Sequence, residues 1–111
     1  MHNQMHRTLI IAIALLLTPD FGGAARAAED EAESGHMLAN QFCARCHAVD
    51  ATGASPLAPA PPFRTLSAKY PLEDLEEALA EGITVGHEAM PEFQLTPEQI
   101  DSFIAYLRSL K

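Results

Sequence analysis

Apolar residues recur at helical spacing along the last third of the chain. Ile100, Phe103, Ile104 and Leu107 fall at i, i+3, i+4 and i+7, which predicts a helix with one buried face. Its start is marked by Thr96 as N-cap, Pro97 at the first helical position and Gln99 as the partner in a capping box. Arg108 and Lys111 complement the negative end of its dipole. A second stripe of Leu72, Leu75, Ala78 and Leu79 alternates with Glu73, Asp74, Glu76, Glu77 and Glu81, the pattern of a helix with a solvated acidic face. Pro71 fits its N1 position and Gly82 its end. A third helix is expected from near Ser34 through Leu38, Phe42 and Cys46, preceded by a frayed acidic run from Glu29 to Glu33. Gly35 in that helix costs about 1 kcal/mol relative to Ala. Close contact with another helix would explain it; a frayed first turn is the alternative. No strand alternation of any length appears, so the chain reads as all-α, with about three main helices.

The remaining segments read differently. Ala48 to Pro62 contains Gly53 and prolines at 56, 59, 61 and 62, which predicts an irregular loop wrapped around something. At the N-terminus, Arg7 precedes an apolar run from Leu9 to Leu17, followed by Thr18-Pro19 and a small-residue stretch ending Ala25-Arg26-Ala27-Ala28. This is the layout of a Sec-type signal peptide over residues 1–27, with cleavage after Ala27. The run is about half the roughly 20 residues a spanning helix needs, and an uncleaved anchor is the alternative. Export to a bacterial periplasm follows, with no stable membrane insertion. The domain proper is then residues 28–111, 84 residues long. A chain of that size is marginal on apolar burial alone and often leans on a metal or covalent staple.

The staple is visible at Cys43-Ala44-Arg45-Cys46-His47. C-x-x-C-H is the attachment pattern of a c-type haem. On a helical turn Cys43 and Cys46 share one side, where both thiols can add to the two vinyl groups of a porphyrin, and His47 can present an imidazole nitrogen to the iron. A thioredoxin-like dithiol would require a βαβ context, which is missing. A zinc site would require about four Cys/His ligands, and the chain has no second pair. Haem c, one per chain and covalent, is therefore the expected cofactor.

A sixth iron ligand is sought on the far side of the chain. Met37 lies on the first helix and is expected to fill core space. Met90 lies in a loop, is stiffened by Pro91 and follows His47 by 43 residues, enough to carry a thioether round to the other haem face. His87 is the rival ligand. The carbonyl of Pro61 is the candidate acceptor for the second ring nitrogen of His47; a proline that only stiffens the loop is the alternative.

The net charge is −8 with histidines neutral, and removal of residues 1–27 takes away Arg7, Arg26 and Asp20, leaving −9. That disfavours nucleic acid and anionic membranes and favours redox partner proteins with neutral or basic docking patches.

Taken together, Gly35, Cys43-Ala-Arg-Cys-His47, Ala60-Pro-Pro-Phe63, Lys69-Tyr-Pro71, Met90-Pro-Glu-Phe93, Thr96-Pro-Glu-Gln-Ile100 and Phe103-Ile-Ala-Tyr-Leu107 resemble the small bacterial class I cytochromes c over essentially the whole exported chain. The resemblance implies a class I cytochrome c fold around one covalently attached haem, with the first and last helices crossing near Gly35. It implies His47 and Met90 as iron ligands and Pro61 as the partner of His47. With both axial positions filled, the expected role is a monomeric periplasmic one-electron carrier and not an enzyme. A dedicated haem subunit of a periplasmic dehydrogenase complex is one alternative; a ligand-binding or sensory haem protein with a labile Met bond is the other.

Overall fold

The computed structural model describes residues 22–82 and 89–111. Among these are helices α1 (Gly22–Phe42), α2 (Leu66–Lys69, entered through a 3-10 turn at Phe63–Thr65), α3 (Leu72–Glu81) and α4 (Pro97–Ser109), with no strand. None of the described helices is long and apolar enough to cross a membrane. The residues expected to mark the signal peptide lie largely outside the described chain.

The frame is the packing of α1 against α4. Gly35 and Ala39, one turn apart, are the buried residues of α1, and a Cβ at Gly35 would overlap the Ser102 carbonyl oxygen and sit 2.8 Å from Tyr106 Cβ. Only hydrogen at that position lets the backbones approach so closely. From α4, Ile100, Phe103, Ile104, Tyr106 and Leu107 are buried, and they share one core with Leu72 and Leu79 of α3 and with Phe63 and Leu66. The start of α4 is locked locally. Gln99 N donates to Thr96 Oγ1 at 3.3 Å, and Thr96 N donates to Gln99 Oε1 at 2.9 Å, closing the capping box.

Four sequence expectations need correction. Helix α1 begins at Gly22, twelve residues before Ser34, and the acidic run is helical; the alanines and glutamates of 24–33 are strong helix formers that need no packing partner, and residues 22–31 are exposed. The same helix stops at Phe42, so Cys43 to His47 lie beyond its end. Met37 is 59 % exposed and fills no core space. It stands two positions from both Gly35 and Ala39, which turns it to the opposite side of the helix. Pro71 is the N-cap of α3 rather than its first residue, and Gly82 ends that helix at φ +91°.

Candidate functional site

Directly after α1 the chain makes a tight run of turns. Ala44 N donates to Ala39 O at 3.1 Å, a bond one residue wider than the helical repeat, which opens the helix end. His47 N then donates to Cys43 O at 2.9 Å, and Cys46 N to the same carbonyl at 3.1 Å. This turn keeps the two cysteines and the histidine bordering one cavity of about 920 Å³. Its walls come from the end of α1 (Leu38, Phe42), the proline loop (Pro59 to Phe63), α2 and α3 (Leu66, Leu75, Leu79), the stretch Met90 to Leu95, and Phe103 of α4. The volume is at the upper end of the roughly 300–1,000 Å³ typical of sites for small molecules and cofactors.

His47 is 9 % exposed and held from several directions. Its Nδ1 lies 2.8 Å from the Pro61 carbonyl. A carbonyl can only accept, so Nδ1 carries the proton and donates, and the neutral ring keeps its lone pair on Nε2. The ring rests against Phe63 at 5.0 Å between centroids, and Phe63 meets Phe103 edge-on at 5.5 Å. The proline loop that delivers Pro61 is sewn to the motif by backbone bonds. Leu57 N donates to Cys46 O at 3.1 Å and Phe63 N to Ala48 O at 2.9 Å, while Ser55 Oγ accepts from Ala48 N at 3.0 Å.

The Cys43 thiol is not tuned for exchange chemistry. Burial pushes Cys43 up to about 11, with the neighbouring Cys46 adding to the effect. Dithiol oxidoreductases depend on a depressed thiol pKa, so Cys43 is the reverse of what that reading requires. Among the described residues no group of three or more His, Cys, Asp or Glu side chains is placed to hold a metal ion by itself. A large apolar cavity with two thiols and one oriented imidazole on its wall fits a porphyrin bound through its periphery. Met90 is half-buried against the core and borders the same cavity. His87, the rival ligand, lies outside the described residues.

A family model described as cytochrome c matches residues 32–111. The chain belongs to the cytochrome c family. No curated protein and no solved structure matches it. As a cytochrome c it is a haem-binding electron-transfer protein, and its haem c is attached through Cys43 and Cys46. When bound, that haem supplies a one-electron iron couple. The described helices and the absence of strands among them agree with the all-α class I fold of this family.

Part of the support around His47 had no local signal in the sequence. Tyr106 Oη donates to Val49 O at 2.6 Å across 57 residues of chain, fixing the backbone two residues beyond His47. His36 meets Asp50 at 2.8 Å and lays its ring on Tyr106 at 4.8 Å. Burial raises the Tyr106 pKa, and the carboxylates of Asp50 and Glu33 raise it further. The neutral phenol is thus favoured by folding. Its contribution is complete below the ordinary tyrosine value of 10.0 and is lost as pH rises through the elevated one. Tyr106→Phe should cost about 1 kcal/mol at neutral pH, the worth of a typical hydrogen bond. It should also flatten the loss of stability on the alkaline side. Chemical denaturation at a series of pH values checks this; parallel profiles for the two proteins would refute it.

Proposed function

We propose that this cytochrome c is an exported, periplasmic carrier of single electrons, with its iron held between His47 and Met90. The observation that carries the reading is that Met90 borders the same cavity as Cys43, Cys46 and His47. The Pro61 carbonyl orients the imidazole, and strengthens it as a ligand, by accepting a hydrogen bond from Nδ1–H. A neutral imidazole and a neutral thioether in an apolar pocket favour the ferrous state and a raised potential. With His47 and Met90 both holding the iron, no place would be left there for a substrate, so the protein's work would be transfer and not catalysis.

Partner docking follows the surface. Phe42 and Tyr70 are exposed at the cavity wall and offer an apolar contact face, while the net charge of −9 on the exported chain draws in a redox partner with a neutral or basic patch. Docking of this type is brief and uses a small interface, consistent with a monomeric shuttle. Export fits the exposure of residues 22–27, the described part of what cleavage after Ala27 would remove. The mass of the exported protein tests this. A haem-loaded chain beginning at Ala28 is expected, and one retaining residues 1–27 would make it an anchored protein.

The deciding experiment is the absorption spectrum of the oxidised and reduced protein. Covalent haem with the weak long-wavelength band of Met-to-ferric-iron ligation is expected. Covalent haem without that band would move the protein to ligand binding or sensing.

A further inference from the structure

Outside the cavity, side chains from separate parts of the chain converge on His36, the neighbour of Gly35 at the crossing of α1 and α4. Its Nε2 lies 2.8 Å from Asp50 Oδ1, and its ring rests on Tyr106 at 4.8 Å between centroids, with 30° between the planes. A carboxylate only accepts, so Nε2 carries a proton and a second proton adds at Nδ1. The titratable groups facing the ring, among the described residues, are Asp50 from the loop, Tyr106 from α4 and Glu33 three positions earlier on α1. None of these is cationic, so the positive charge this cluster can gain is the proton on His36. The side chain is 32 % exposed, which lets that proton exchange with solvent.

A buried path joins the cluster to the axial histidine. Tyr106, 7 % exposed, donates from Oη to the carbonyl of Val49, itself 4 % exposed, and Val49 stands two residues beyond His47. Asp50 follows directly. The His36 ring is thereby held at a set place relative to His47. Charges that interact across packed interior are screened less than charges on an open surface. The helix crossing itself is satisfied by the glycine; the tie from His36 to the segment after His47 is a separate observation.

We propose that His36 is a proton site linked to the oxidation state of the iron, acting on the midpoint potential through its charge. The proposal rests on His47 as an iron ligand. When one electron passes from a donor protein to the haem, one positive charge is lost on the His47 side, and the affinity of His36 Nδ1 for a solvent proton rises. Linkage makes the effect reciprocal, so a proton on His36 favours the ferrous state. The potential should therefore fall as pH rises from about 5 to 8, the range in which histidine side chains lose their charge.

The test is a redox titration of the holoprotein across that range. Charges coupled through a partly buried path should give about a twofold or larger difference in proton affinity between the two oxidation states. At 59 mV per tenfold for a one-electron couple, the wild-type potential should then fall by about 18 mV or more. His36→Gln, which keeps an amide in reach of Asp50, should give a level profile. A level wild-type profile would overturn the proposal, and so would a fall of the same size in His36→Gln. Should His36→Gln fail to hold haem, the ring proton resonances of His36 in the wild type decide. Titration midpoints that differ between the oxidised and reduced forms are expected, and coincident midpoints would overturn the link. A protein without covalent haem would overturn the reading of the cavity, and this proposal with it.

Discussion

With Met90 as the proposed iron ligand, Met90→Ala should convert the protein from an electron carrier into one that binds carbon monoxide when reduced. The long-wavelength band should disappear in the oxidised form, and the midpoint potential should fall by an amount on the order of a few tenths of a volt, since haem ligands set potentials over a range of about 0.8 V. Haem should remain attached, because Cys43, Cys46 and His47 are on a separate stretch of the chain. The fold should also survive. Met90 contributes one half-buried side chain to a core whose buried members are on α1, α3, α4 and the segment from Val49 to Leu66. Two measurements settle the matter: the spectrum of the reduced protein under carbon monoxide, and a redox titration of wild type and variant. A variant with the wild-type band and potential would exclude Met90 as the ligand, and His87 would become the residue to replace next.

The second large effect is expected at Gly35. A methyl group there has nowhere to go, since its nearest neighbours are the Ser102 carbonyl and Tyr106 Cβ, main-chain or near-main-chain atoms that cannot rotate aside. Helices α1 and α4 must separate. Overpacking of this kind costs roughly 1–3 kcal/mol, or more where backbone must move, against a gain of about 1 kcal/mol in helix propensity for Ala over Gly. The net loss is expected to be about 2 kcal/mol, which for a domain of this size lowers the melting temperature by roughly 10 °C. The damage should extend to the haem site, because Tyr106, displaced with α4, holds Val49. A melting curve of Gly35→Ala superimposed on that of the wild type would mean the two helices do not cross at this residue.

The contrast between these sites shows what can be read from a sequence. Helix α4 was legible in full because its signals are local: a cap, a proline, a reciprocal glutamine and an apolar period within twelve residues. Gly35 was legible as an anomaly, a poor helix former kept inside a helix. C-x-x-C-H announces its cofactor because the chemistry demands that spacing. The start of α1 is not marked by apolar residues, since residues 22–31 are exposed and rich in strong helix formers. Met37 was assigned to the core by residue type, when its phase relative to Gly35 and Ala39 already pointed it outward. Helix α2 is four residues long and too short to show a period. The Tyr106 to Val49 bond joins residues 57 positions apart, and nothing near either of them signals the other.

The contact between His47 and Pro61 has an implication for how such a site can change over generations. The acceptor is a main-chain oxygen, so replacing side chains in the loop leaves it in place. The other hydrogen bonds between this loop and the motif are also backbone to backbone, except the one accepted by the Ser55 hydroxyl. This bond is therefore indifferent to which side chains the exposed loop positions carry and sensitive to insertion, since a single added residue would carry the oxygen past the ring. Variation that retunes the iron through this bond comes as changes in length, a coarse and infrequent kind of mutation, while the exposed positions of the loop are left free to drift and the buried Val49 and Ala60 are not.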